Sequence, residues 1–316
     1  MLACCEKVYG LVVLRLRNVE NKMKICILGR FPPPIGGVSV YCKRRFHLLN
    51  SKGIDVVFLD FGDRNFLKKI LKLRDYTFEV NSLNIYVVLF LFFINKIRSS
   101  IFVDHNSSRH YTGFKKFILL RLISGCGGVN IVNEALRDFY PVDFDVRLIS
   151  PFIPPEISEI DEIIDGYPDD LKEFMQYKSV ILNSAWKLIP HGDTDLYGIK
   201  TSLDLMEHFP DVRLLLVIGC FDESYFEPEY LNKINRYREQ GRLYLLEGQY
   251  ELWPIFIHKP ICLRLTPTDG DSLTIKEALH FNSPVIASDV IDRPAGCEIY
   301  EYGNIDSLIY KLSKML

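Results

Sequence analysis

The chain is short of several features that would have placed it quickly. Its eight cysteines form no C-x-x-C pair, so neither a zinc site nor a disulfide framework has support. Several of those cysteines sit inside apolar runs such as residues 24–28 and 260–263. They read as reduced, buried thiols in a cytosolic protein. The longest apolar run, residues 85–94, is about half of the roughly 20 residues a spanning helix needs, so no transmembrane helix is predicted. Residues 1–22 lack the long apolar segment and small-residue cleavage site of a secretory signal. Met23 stands directly before the first strand pattern, and residues 1–22 are read as an N-terminal extension outside the fold. No G-x-G-x-x-G follows the first strand, which argues against an NAD-dependent dehydrogenase, and P-loop spacing is missing as well. The seven histidines form no H-E-x-x-H or H-x-x-x-H, so neither a metal nor a cofactor is expected.

What is present is an ordinary globular composition, 48% hydrophobic and 25% charged over 316 residues, which excludes a disordered or collagen-like chain. The length suggests two domains. Net charge is −2, but residues 1–150 hold 23 Lys and Arg against 12 Asp and Glu, whereas residues 151–316 hold 15 against 28. A polyanionic partner should therefore meet the N-terminal half alone. Arg109, Lys115 and Lys116, among aromatic and apolar neighbours, suit a face resting on anionic lipid headgroups. Nucleic acid is not expected, because no recognition module accompanies the charge.

From Lys24 onward short apolar runs alternate with helical periods, the pattern of parallel strands covered by helices. Strands are predicted at 24–29, 55–60, 100–104, 128–132 and 146–149, with helices at 38–50, 83–96, 114–124 and 134–140. Four prolines and seven carboxylates over residues 150–170 suggest an interdomain linker. A second set follows, with strands at 179–183, 212–218, 242–246, 261–265 and 284–288. Its helices are predicted at 198–208, 225–240, 251–258, 272–281 and 305–315. The division is residues 23–152, a linker at 153–172, and 173–316. Ligands of such sheets bind beyond the carboxyl ends of the strands, so the cleft between two facing units is the expected site.

Three stretches carry candidate chemistry. In the loop from Arg30 to Val40, Gly36 and Gly37 allow close backbone approach just before a helix N-terminus that favours an anion. A tight strand-to-helix turn is the plainer reading. Around Leu263 to Leu279, a strand is followed by Asp269, Gly270 and Asp271, then Ser272 as a helix cap, with Leu273 and Glu277 in the first turns. That order allows loop N–H groups to hold a diphosphate while two carboxylates reach hydroxyl groups on either side. The third stretch, Phe102 to His110, places His105 directly after an apolar strand.

Asp269-x7-Glu277, with the following Pro284-Val-Ile-Ala-Ser288, resembles the E-x7-E signature of retaining glycosyltransferases of family 4. The resemblance implies an α/β chain of the GT-B type, two Rossmann-like doubly wound domains facing across a cleft. It further implies transfer of a sugar from a nucleotide-sugar, a UDP-sugar by preference, to a glycan or lipid-linked acceptor in bacterial surface polysaccharide synthesis. That work would take place in the cytoplasm, at the inner face of the membrane, without a metal. By the resemblance Glu277 bonds the donor ribose, backbone at 270–273 holds the diphosphate, and Asp269 and His105 lie beside the reacting sugar. Asp stands where the family usually has Glu, and Tyr197-Gly198 stands at the place of the usual Lys-Gly. Lys187 is the nearest substitute cation, or else a solvated loop lysine, and Arg264 is a weaker candidate. These departures leave two rivals: a non-catalytic GT-B subunit binding a partner transferase or glycan, and a GT-B nucleotide-sugar epimerase.

Overall fold

The computed structural model describes residues 23–269 and 271–316, so the N-terminal extension and Gly270 lie outside the described residues. The first half runs β1 (Lys24–Gly29), α1 (Gly37–Ser51), β2 (Asp55–Asp60), α2 (Phe66–Lys72), β3 (Thr77–Val80) and α3 (Ile85–Phe93). It continues with β4 (Ser100–Asp104), α4 (Gly113–Ile123), β5 (Gly128–Ile131) and β6 (Val146–Leu148). Two short helices follow, α5 (Ile160–Asp165) and α6 (Asp169–Phe174). The second half holds β7 (Val180–Ala185), the hairpin β8 (Pro190–His191) and β9 (Thr194–Asp195), α7 (Ile199–His208), β10 (Arg213–Ile218) and α8 (Pro228–Glu239). Then come β11 (Leu243–Glu247), β12 (Ile261–Arg264), α9 (Leu273–His280), β13 (Val285–Ser288), β14 (Cys297–Tyr300) and α10 (Ile305–Ser313).

Each half builds one six-stranded sheet, ordered β2-β1-β3-β4-β5-β6 and β11-β10-β7-β12-β13-β14, with every pairing parallel. Parallel sheets must be covered on both faces, which is why their strands read as near-continuous apolar runs. In β1 the alternation is visible all the same: Cys26 and Leu28 enter one cluster with Phe78 and Phe102, while Ile25 and Ile27 enter another with Leu49 of α1. The second sheet divides in the same way, Leu214, Leu216 and Ile218 packing on one side and Leu215 and Val217 on the other. Each sheet reverses its winding at an interior strand pair, β1/β3 in the first and β7/β12 in the second. Such switch points leave a crevice at the strands' carboxyl ends.

Several elements differ from expectation. The sequence reading left out β3, α2 and β14, and residues 134–139 and 253–258 form 3-10 rather than α-helix. The segment expected as a linker is largely helical, since α5 and α6 fall in it. Cys26, Cys42 and Cys262 are buried, with their thiols pushed up to about 12 by burial, but Cys220 is exposed. Among the described residues, no helix is long and apolar enough to cross a membrane.

Candidate active site

The carboxyl ends of β7, β10, β11 and β12 meet the N-terminal end of α1 around a cavity of about 310 Å³. The C-terminal wall is built from Ser184, Ala185 and Trp186 of β7 and its loop, and from Gly219 after β10. Gln249, Tyr250 and Glu251 after β11, Arg264 of β12, and Leu273, Thr274 and Glu277 of α9 belong to it as well. Ile35, Gly36, Gly37, Val40 and Arg44 form the opposite wall. The spacing 37, 40, 44 is the 3-4 period that sets residues on one helix face, so the Gly-Gly end of α1 and Arg44 look the same way. A Cβ built on Gly36 or Gly37 would meet nothing within 4 Å, so the loop borders open space rather than packed protein.

The two walls are joined by polar contacts. The backbone N–H of Ile35 donates to Gln249 Oε1 at 2.9 Å, and Lys43 Nζ donates to Glu251 Oε1 at 2.7 Å. Arg44 Nη2 donates to Glu277 Oε1, and Arg44 Nη1 donates to the carbonyl of Ile153 at 3.1 Å. Both Arg44 and Glu277 are buried, at 4% and 5% exposure. Burial pushes the Glu277 carboxyl above its ordinary value, against the pull of the Arg44 guanidinium. Glu277 therefore stands on the cavity wall, with one oxygen held by an arginine from the other domain.

Asp269 has both carboxylate oxygens engaged. Arg264 donates Nε to Oδ2 at 2.9 Å and Nη2 to Oδ1 at 2.7 Å, and Arg293 Nη1 donates to Oδ2 at 2.6 Å. Burial raises this carboxyl, yet the two guanidiniums outweigh it and hold the group below the usual carboxylate range. Asp269 does not line the cavity, whereas Arg264 does. Asp271 pairs with Lys276, and Ser272 caps α9 by accepting from the Ile275 N–H at 3.4 Å. These four residues and Arg293 border a second cavity of about 370 Å³, which reaches Asn133 and Glu134 beyond β5.

The remaining candidates lie apart from both cavities. Lys187 places its ammonium 5.9 Å from the Tyr225 ring centroid, and it lines neither space. His105 follows β4 and shares a 3.0 Å hydrogen bond between Nε2 and Asn81 Oδ1, with its ring edge-on to Tyr41 at 4.7 Å. An amide oxygen only accepts, so Nε2 carries the proton. Burial lowers the His105 pKa to about 4, despite the opposing pull of Asp104, and the ring is neutral at pH 7. Arg109 is exposed and contacts His110, Lys115 is exposed on α4, and the Lys116 ammonium lies 4.5 Å from the Phe139 centroid. Arg44, Arg293 and Asn81 were not singled out as site residues. The 3-4 spacing from Gly37 was the available signal for Arg44, while Asn81 and Arg293 carry no local one.

Two facing sheets with these strand orders and a cleft at their switch points define the GT-B fold. Solved structures agree over most of the chain. HepE from Anabaena in complex with UDP superposes with a TM-score of 0.62 at 14% identity, covering 92% of this chain and 89% of that one. The UDP-forming α,α-trehalose-phosphate synthase of Burkholderia xenovorans, in complex with glucose-6-phosphate, gives 0.62 at 12% identity, covering 92% and 91%. Sucrose-phosphate synthase from Thermosynechococcus elongatus gives 0.58 at 14% identity, covering 92% and 89%. No protein-family model matches the chain, and no curated protein matches it in sequence.

Proposed function

We propose that the chain is a retaining glycosyltransferase that takes a sugar from a nucleotide-sugar, a UDP-sugar by preference, and transfers it to a glycan or lipid-linked acceptor in bacterial surface polysaccharide synthesis. The observation that carries the reading is the cavity at the β7/β12 switch point, walled by α9 and the Gly-Gly loop. Structures of the same fold hold UDP or UDP-glucose. In this reading the ribose meets Glu277 through Oε2, the oxygen left when Oε1 accepts from Arg44. The N-terminus of α9 faces the diphosphate, where a helix start favours negative charge. The acceptor hydroxyl attacks the anomeric carbon on the face the nucleotide leaves. The glycosidic electron pair goes to the departing phosphate oxygen, which also takes the hydroxyl proton.

The acceptor side is assigned to the basic N-terminal domain, which works as a cytoplasmic, membrane-contacting face. Tyr86 and Phe93 of α3 and Phe114 of α4 are more than three-quarters exposed, with Phe117 close behind at 63%. The two helices pack together, and exposed Lys115 follows Phe114 on α4. Exposed aromatics set among lysines suit an anionic interface.

Ligand-observed NMR against UDP, GDP, ADP and their sugars, with Glu277→Gln as the control, tests the donor reading. Binding of one nucleotide family, weakened in the variant, is the expected result. No binding by any nucleotide sinks the reading and points to a non-catalytic subunit. Turnover of donor without acceptor, the sugar being inverted at one carbon, would instead establish the epimerase.

A further inference from the structure

We propose that the two carboxylates of the Asp269-x7-Glu277 motif act as holders of two arginines, Arg264 and Arg44, which bind the diphosphate of a nucleotide from opposite walls of the cavity. The inference rests on the nucleotide reading of that cavity and adds the cations which that reading lacks.

Both arginines line the same space and come from different domains. Arg264 reaches Asp269 through Nε and Nη2, a bidentate fork that fixes the guanidinium plane and leaves Nη1 outside the pair. Arg293, itself bonded to the Ser288 carbonyl at 3.0 Å, closes the other side of Asp269. Two guanidiniums against one carboxylate leave this group with one excess positive charge, beside the wall where an anion is expected. Arg44 supplies a second observation. Its Nη1 and Nη2 are engaged, but its Nε is buried with no hydrogen-bond partner. Buried donors are nearly always paired, so an orphan on a residue that borders the cavity points to an acceptor met when the side chain turns toward a ligand. A phosphate oxygen is such an acceptor, and arginine forks match its geometry. Lys187, outside the cavity and over Tyr225, does not serve there.

The arrangement assigns different work to the two carboxylates. Asp269 is a positioning residue that acts through Arg264. Glu277 acts both on the ribose and through Arg44. Because Arg44 arrives from α1, the diphosphate meets its full set of donors only when the two domains face each other.

The test is calorimetric titration of the whole protein with a nucleoside diphosphate and its matching nucleoside, UDP with uridine first, then GDP with guanosine and ADP with adenosine. Arg264→Gln is expected to weaken the diphosphate by about tenfold or more with nucleoside affinity unchanged, and Arg44→Gln to weaken the diphosphate at least as much. Asp269→Asn should weaken the diphosphate several-fold in the same selective manner, a pattern that general loss of structure does not produce. Arg44→Gln leaves Glu277 without its cation, so Arg44→Lys is the second variant. It keeps the charge, lacks the Nε donor, and is expected to bind the nucleoside normally and the diphosphate weakly. Diphosphate affinity unchanged in the arginine variants overturns the inference and leaves the nucleotide reading standing. Failure of the unaltered protein to bind any nucleotide overturns both.

Discussion

At the scale of single residues, His105 shows how burial fixes a protonation state. Its ring is partly buried, bonded to Asn81 and packed on Tyr41, and its pKa in the fold is about 4 against 6.5 for the free side chain. The unfolded chain therefore binds a proton that the folded chain refuses. Stability from this group is complete above about 6.5 and is lost as pH falls toward 4, by about 3 kcal/mol at most. Asp269, held low by its arginines, adds a slope of the same sign at lower pH. Urea midpoints measured between pH 7 and pH 4 should fall steeply, and His105→Asn should flatten the part between 6.5 and 4. An equal slope in the variant would assign the acid sensitivity elsewhere. His105 was legible because it follows an apolar strand directly. Asn81 was not, because a partner 24 residues away leaves no local pattern.

At the scale of elements, the join between α7 and β12 decides whether Arg264 keeps its place. Gly198 caps α7 with φ at +67°, and a Cβ there would lie 2.4 Å from the Leu265 Cβ, directly after Arg264. The sequence marks this glycine only as half of a Tyr-Gly pair where Lys-Gly is usual. The structure supplies the reason: a left-handed turn pressed against the strand end. Asn183 of β7 adds to the same join, donating Nδ2 to the carbonyls of Tyr197 and Gly198, both at 3.1 Å. Gly198→Ala should cost more than the roughly 1 kcal/mol of an ordinary glycine substitution, because strain and collision add. A lower urea midpoint at constant slope is the expected signature, and a midpoint within error of the parent would refute it. Continuously apolar strands such as β10 and β12 were read within a few residues. The strand β3 was missed because Glu79, a buried carboxylate bonded to Arg45 at 3.0 Å, interrupts its apolar pattern. The edge strand β14 was missed because Glu298 and Ile299 face outward. The helices of the acidic segment escaped notice for a different reason, since Asp161, Glu162, Asp169 and Asp170 stand in the first turns of α5 and α6. Carboxylates there favour helix starts.

At the scale of the whole molecule, the opposed charges of the two halves hold the cleft together. The sequence showed the division and assigned the basic half to an external polyanion. Part of that charge is spent internally: Lys43 of α1 bonds Glu159 at 2.9 Å and Glu251 at 2.7 Å, joining the first domain to the following segment and to the far wall of the cavity. Burial lowers the Lys43 pKa, but the two carboxylates overcome this and raise it above its ordinary value. The charge therefore persists across the working pH range. These partners are separated by more than a hundred residues, so composition reveals the imbalance and only the fold reveals the pairing. Lys43→Glu would set three carboxylates together where the two domains meet beside the cavity, and like charges at hydrogen-bond distance repel strongly where solvent is partly excluded. The domains should then separate. Small-angle scattering should give a larger radius of gyration at low salt, relaxing toward the parent value as salt screens the repulsion over about 10 Å at 0.1 M. Nucleoside and nucleoside diphosphate should both bind more weakly, since the wall carrying Ile35 and Arg44 has moved away. That joint loss separates domain opening from Arg264→Gln, in which the diphosphate alone is affected. An unchanged radius with unchanged binding would mean that the Arg44–Glu277 pair and the Ile35–Gln249 contact suffice to keep the cleft closed.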